Sequence, residues 1–284
     1  TQTSRQRIII PMRQQGFTLI ELAIVLVIIG LLAGGVLVGR DLIEAAGTRA
    51  LISQIEKYRT AANTFRVKYN AMPGDISPAN AAAFGFAARS GARGSGDGDG
   101  RFAICSSVSL NAPNSYAGCE NVLFWRDLSQ ANLIPDALNT ATDALATSLT
   151  AAQIPKYFPR AKGVNNSYVL NNYHENNDIP LETLPGYAQN AFVVTGVSST
   201  SAAGVIRQAN TLTPIVAYNI DAKTDDGRPR TGRTMGFGAA FDSFFFYGYG
   251  LNSCINVTNV TDVINSAVYV TTNTSPLCMV LTAF

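Results

Sequence analysis

Charge is scarce in this chain. Asp, Glu, Lys and Arg make up 14% of its 284 residues, against a usual share of roughly 25%. The 21 basic and 19 acidic side chains leave a formal net charge of +2. That balance excludes a charge-rich disordered tail and provides no basic footprint for nucleic acid. There is one histidine, His174, and no Gly-x-Ser-x-Gly, P-loop or His-rich metal motif accompanies it; the sequence offers no enzyme. Glu175 and Asp178 beside it read as a solvated turn rather than a glycosidase pair. The 11 Tyr and 14 Phe lack a basic groove between them, so they read as core and not as a base-stacking platform. The four cysteines include no C-x-x-C, which argues against zinc and thioredoxin-like chemistry. No internal repeat is present.

The apolar content, 47%, is concentrated in one long run. Phe17 to Gly39 reads FTLIELAIVLVIIGLLAGGVLVG, 23 residues with a single charge, Glu21. As a helix at about 1.5 Å per residue it would reach roughly 35 Å, enough to cross a bilayer. Arg5, Arg7 and Arg13 precede it with no acid, which keeps the N-terminus cytoplasmic. A secretory signal places its small cleavage-site residue after the apolar region; here Gly16 stands before it. A charge inside a membrane helix costs about 2.5–3.5 kcal/mol on insertion scales and marks a function. Glu21 has no positive side chain at helical spacing, since Val25 and Leu26 lie one turn on. Its expected partner comes from elsewhere, and a new N-terminal amine made by cutting after Gly16 would serve.

MRQQ-G-FTLIE followed by an apolar stretch resembles the N-terminus of type IV prepilins and type II secretion pseudopilins. The resemblance implies that a prepilin peptidase cuts after Gly16 and methylates Phe17. It implies that Glu21, the fifth mature residue, pairs with the N-terminal amine of a neighbouring subunit during filament assembly. It also continues downstream, where SQIEKYRTAANTFRVKYNAMPGD is similar to the later half of a pilin helix and its exit. Leu51, Ile55, Tyr58, Ala62, Phe65 and Tyr69 recur at steps of four and three, forming one apolar helical face. Pro73-Gly74 stops the helix. Where many relatives have a helix-breaking proline, near Val38, this chain has Gly34, Gly35 and Gly39 instead. They mark a segment where the helix either loosens in a filament or packs closely against a neighbour. Met12 reads as a natural start, with residues 1–11 as upstream readthrough or a longer leader.

The expected organisation is a leader at 1–16, a membrane-spanning and filament-core half-helix at 17–39, an amphipathic half at 40–72 and a head at 73–284. The expected fold class is α+β and pilin-like, with the long helix packed on an antiparallel-sheet head that carries disulfides. Within the head, 120–134 and 214–223 read as helices, the latter started by Thr213-Pro214. Residues 167–173, 191–197, 244–250 and 266–272 read as β from their branched and aromatic content. Cys105, Cys119, Cys254 and Cys278 allow three pairings. With the head outside the cytoplasm disulfides are favoured, and the sequence-local pairs Cys105–Cys119 and Cys254–Cys278 are expected. The second would staple the C-terminal region, as in many type IV pilins.

Two acidic clusters bear on metal binding. Ser95-Gly-Asp97-Gly-Asp99-Gly100 has the alternating oxygens and turn glycines of a calcium loop. It departs from the EF-hand pattern at both ends, so the alternative is a solvated, flexible loop; Asp75 or Glu120 would complete a calcium site. Asp221, Asp225 and Asp226 surround Lys223 and read as a helix C-terminal turn. No cofactor is required by these features.

The expected function is that of a pilin or minor pilin of a type IV pilus-like filament. Its partners would be prepilin peptidase, identical or homologous subunits and an inner-membrane assembly platform. The expected location is the bacterial inner membrane with the head in the periplasm, then a periplasmic or extracellular filament. The alternatives are a type II secretion pseudopilin and a membrane-tethered carbohydrate- or calcium-binding module that never polymerises. Removing residues 1–16 takes away three arginines and no acid, which leaves 18 basic against 19 acidic side chains.

Overall fold

A computed structural model describes residues 17–90, 96–102, 114–116, 119–142, 149–150, 152–174, 189–200, 205–238, 254–256 and 267–284. The chain divides between Ala45 and Ala46 into two compact units. The first is the apolar start of helix α1 (Leu19–Tyr69). It is the one helix among the described residues long and apolar enough to cross a membrane. Leu19, Leu31, Val36, Leu37 and Ile43 are all exposed, as are the other large apolar side chains along it. No face of it is reserved for an intramolecular core, which is the pattern of a helix whose solvent is lipid or other helices. α1 runs unbroken through Gly34, Gly35 and Gly39, with nothing near those glycines.

In the second unit the same helix becomes amphipathic. Leu51, Ile55, Tyr58, Ala62 and Phe65 are buried, while Arg49, Glu56, Lys57, Arg66 and Lys68 are exposed. Tyr69, the last residue of the expected stripe, is half-buried and packs edge-on against Phe84 and Phe86. The helix ends there, and Asn70 follows at φ 51°, a left-handed residue of the kind that closes helices. Short helix α2 (Pro78–Phe84) follows, capped by the Ser77 side chain and ended by left-handed Gly85.

The head is an antiparallel sheet with one face on α1 and on helix α3 (Cys119–Gln130). The strands are β1 (Asn114–Tyr116), β2 (Ser167–His174), β3 (Gln189–Thr200), β4 (Val205–Ala209), β5 (Thr234–Phe237) and β8 (Met279–Ala283). Their order is β1-β4-β3-β8-β5, with β2 on the other edge of β3. β3 is therefore central: Ala191–Val194 pair with both β2 and β8, and the segment from Gly196 pairs with β4. Alternation along the strands sorts side chains by face. Val169, Phe192, Val194 and Val280 point into the main core with Tyr58, Phe124 and Trp125. Ala191, Val193, Met235, Phe237, Met279 and Leu281 form a second buried cluster on the opposite face. α4 (Pro214–Thr224) is capped by the Thr213 hydroxyl, which accepts from the Val216 amide. A two-stranded ribbon, β6 (Ile255–Asn256) with β7 (Val268–Tyr269), lies apart from the main sheet.

The architecture is the α+β, pilin-like one: a long apolar N-terminal helix packed, through its later half, on an antiparallel sheet. A disulfide joins Cys254 to Cys278, 24 residues apart. Cys105 and the side chain of Cys119 lie outside the described residues, as does the strand expected at 244–250. The strand expected at 266–272 forms only at Val268–Tyr269. Among the described residues its partner is two residues long, and the chain turns at once, Asn273 N–H donating to the Val270 carbonyl.

Candidate functional site

Glu21 has no cation at helical spacing, but it has hydrogen-bond partners within its own chain. The Thr18 amide and the Thr18 hydroxyl each donate to Glu21 Oε2 at 2.8 Å, and the Glu21 amide donates to Thr18 Oγ1 at 3.3 Å. Thr18 is the residue before the helix and Glu21 its third residue, so this is a reciprocal capping box. It satisfies helix N-terminal donors and places a negative charge at the positive end of the helix dipole. The signal, Thr-x-x-Glu ahead of an apolar run, lies in the sequence; a search for cationic partners alone passes over it. Phe17 is exposed beside the box, and Gly16 lies outside the described residues. Phe17 thus directly precedes the turn in which Thr18 holds the Glu21 carboxylate.

The chain carries the prokaryotic N-terminal methylation motif, matched over residues 11–37. This prepilin-type processing signal covers the cleavage region and most of the apolar run, and implies processing by a peptidase. Neither a curated protein nor a solved structure matches the chain. The prepilin-type motif and the pilin-like fold match those of structural pilin-type proteins, and the apolar helix is consistent with a membrane-anchoring segment.

In this pilin-like head the glycine-rich loop meets the exit of α1. The carboxylate oxygens of Asp75, Asp97 and Asp99 lie within 4.8 Å of one another; Ser95 lies outside the described residues. Gly96, Gly98 and Gly100 all have positive φ, and their alternate amides turn toward two buried acids. Gly98 N–H donates to Asp75 Oδ1 and Gly100 N–H to Asp75 Oδ2, both at 2.7 Å, and Gly96 N–H donates to Glu120 Oε1 at 2.6 Å. Asp97 and Asp99 accept from the amides of Asp99 and Arg101. The segment 96–100, for which the glycine content suggests a flexible loop, is pinned by two buried acids. Burial pushes the Asp75 carboxyl up, against the lowering effect of the glycine amides.

Beside it, Arg89 and Asp127 form a fully buried, two-pronged ion pair, with Nη2 to Oδ1 at 2.7 Å and Nη1 to Oδ2 at 3.0 Å. The same groups hold Gly74: its amide donates to Asp127 Oδ2 and its carbonyl accepts from Arg89 Nη1. Sequence reasoning misses this knot, because 38 residues separate the partners and neither belongs to a motif.

The second acidic cluster, Asp221, Asp225 and Asp226, likewise has its carboxylate oxygens within 4.8 Å of one another. Asp221 is buried and accepts from Tyr269 Oη at 2.7 Å and from the Gly227 amide at 3.2 Å. Asp225 accepts from the Arg233 and Thr234 amides, and Asp226 from the Arg228 amide and the Thr231 hydroxyl. The cluster closes the turn after α4, as the sequence indicates, and also ties α4 to β7. Burial above all pushes Asp221 up to about 7, and it pushes the Tyr269 phenol up as well. Either acidic cluster offers the hard oxygen donors that a divalent cation such as calcium takes.

Proposed function

We propose that this chain is a subunit, pilin or minor pilin, of a type IV pilus-like filament. The observation that carries the reading is the methylation motif coinciding with the apolar first part of α1, whose large side chains are all exposed and which holds one carboxylate in its first turn. In this reading prepilin peptidase removes residues 1–16 by cutting after Gly16 and methylates Phe17. Residues 17–39 then lie in the inner membrane, 40–72 carry on as the amphipathic half of the helix, and 73–284 form the periplasmic head. An assembly platform extracts the subunit, and Glu21 sets its register by pairing with the amine of a neighbouring subunit, identical or homologous. Opposite charges gain more from each other in lipid than at a wet surface, so this pairing favours assembly over dispersal in the membrane. The capping box gives Glu21 an interim partner: assembly exchanges the Thr18 contacts for the neighbour's amine.

Co-expression with a prepilin peptidase tests the first step. The mature chain is expected to begin at N-methylated Phe17 by mass spectrometry, and an uncut chain after peptidase exposure would overturn the reading. A type II secretion pseudopilin shares every one of these features; filaments sheared from the cell surface separate the two. The acidic clusters favour one further reading, a head that binds calcium. On that reading calcium raises the melting temperature of the wild type but not of Asp97→Ala/Asp99→Ala if the glycine loop is the site. A tethered ligand-binding module that never polymerises would be found only as a processed membrane monomer.

A further inference from the structure

We propose that the loop 156–162 is a lipid contact, in which Lys156, Arg160 and Lys162 meet the anionic headgroups of the leaflet from which α1 emerges. Charge is distributed unevenly over the head. Residues 73–284 hold 12 basic against 15 acidic side chains, so the head as a whole is acidic. Within it, residues 144–174 contain Lys156, Arg160 and Lys162 and no acid. All three are exposed, and none forms an ion pair with a described residue. The loop is fixed on two sides. Gln54 of α1 accepts from the Lys162 amide and donates to the Arg160 carbonyl, both at 2.8 Å. On the sheet side the Ala161 amide donates to the Ser167 carbonyl and the Val169 amide to the Pro159 carbonyl, both at 2.9 Å. The Arg160 guanidinium lies over the Tyr168 ring, 5.6 Å from its centroid. The three cations therefore sit on a held loop and not on a free tail.

The fold carries this loop to the beginning of the head. Gly163, which follows Lys162, packs backbone to backbone on Gly47, the second residue of the head unit. Gly47 stands eight residues past Gly39, where the apolar run ends. Eight helical residues span about 12 Å, so the chain itself keeps this end of the loop near the lipid boundary. The headgroup layer is roughly 5–7 Å deep on each side of the hydrocarbon, and an anionic surface attracts Lys and Arg over a Debye length, about 10 Å at 0.1 M salt. Residues 40–49 hold two bases and two acids and cancel, so the excess charge comes from the loop. Asp136, the acid that the same network reaches, accepts from the Tyr58 phenol at 3.0 Å, one turn beyond Gln54. The acidic glycine loop is far off: Asp75 comes after the end of α1 at Tyr69, roughly 33 Å along the helix from Gly47. The head thus has a basic start and an acidic far end, an arrangement that an anionic leaflet attracts and orients.

This inference rests on the anchoring of α1 in a membrane, and the test reads the two separately. The full chain is placed in phosphatidylcholine nanodiscs, with and without phosphatidylglycerol as about a third of the lipid. Lysines are acetylated to low conversion by an uncharged reagent and their rates read by mass spectrometry. Co-elution with the discs reports the anchoring. Lys156 and Lys162 are expected to react about threefold more slowly, or slower still, in anionic than in neutral discs, and the difference is expected to vanish at high salt. Lys68, roughly 30 Å further along α1 than Gly47, is expected to react equally in both. Inorganic phosphate added to neutral discs is expected to slow neither loop lysine, which separates a headgroup surface from a free anion. Equal rates in both discs for a chain that co-elutes with them would overturn the lipid contact and leave the anchoring intact. Slowing that survives high salt, that free phosphate reproduces, or that grows in neutral discs with the number of chains per disc would also overturn it, the last assigning the loop to a second copy. A chain that does not co-elute refutes the anchoring and the contact with it.

Discussion

Burial of Asp221 against Tyr269 makes one acid of this head titrate near neutrality. An unfolded aspartate ionises at about pH 4, whereas Asp221 in the fold keeps its proton until about pH 7. Between those limits the folded state binds more protons, so the head loses stability as pH rises from about 4 to 7 and then levels off. Thermal melts of the wild type should fall by on the order of 5 °C from pH 5 to pH 8. Asp221→Asn, which still accepts from Tyr269, should show a visibly flatter profile; parallel curves would refute the assignment. The buried Arg89–Asp127 pair behaves differently. Removing one partner strands a charge, so Arg89→Met should cost about 3–5 kcal/mol in denaturant titrations. Arg89→Met/Asp127→Leu should recover much of that loss, since it removes both charges together.

At the scale of elements, α1 meets the rest of the head through a backbone contact. Gly47 on the helix lies so close to Gly163 that a Cβ on either would meet the other's backbone, and Gly163 has φ +71°. Gln54, about two turns further on, accepts from the Lys162 amide and donates to the Arg160 carbonyl, both at 2.8 Å. Gly163→Ala should therefore destabilise the head by about 1–3 kcal/mol from the left-handed backbone alone, more with the clash. Gly34→Ala, which faces open space, should leave head melting unchanged; circular dichroism melts check both.

The periodic elements are legible in the amino-acid sequence alone. The stripe Leu51 to Phe65 repeats with the helical period, and Thr213-Pro214 announces the start of α4. β2 and β3 declare themselves by branched and aromatic residues. Short strands such as β4, β5 and β8 do not, because their state is decided by pairing partners far away in the chain. Met279–Ala283 becomes a strand by lying between β3 and β5, which no local pattern reveals. The candidate site divides in the same way. Gly16, Phe17 and Glu21 are legible as a motif. The two partners of the glycine loop, Asp75 and Glu120, are visible in the sequence only as nearby acids, and the loop's turned-in amides give them their role.

Over the whole molecule, hydrophobicity and charge are segregated by purpose. In the proposed maturation the arginines of residues 1–16 orient the chain and leave with the leader. The large side chains on the apolar half of α1 are exposed, the pattern of a helix that packs in lipid or against neighbouring helices. The amphipathic half anchors a low-charge head whose buried acids are each held by amides, an arginine or a phenol. In the proposed function all of this serves assembly, and assembly turns on one side chain, Glu21. The decisive measurement is the amount of mature chain in sheared filaments for the wild type and for Glu21→Ala, with the membrane pool assayed in parallel. The account predicts that Glu21→Ala is cut after Gly16, methylated at Phe17 and folded in the membrane, yet missing from filaments. Filaments containing Glu21→Ala at wild-type levels, or a wild-type chain found only as a processed membrane monomer, would contradict it.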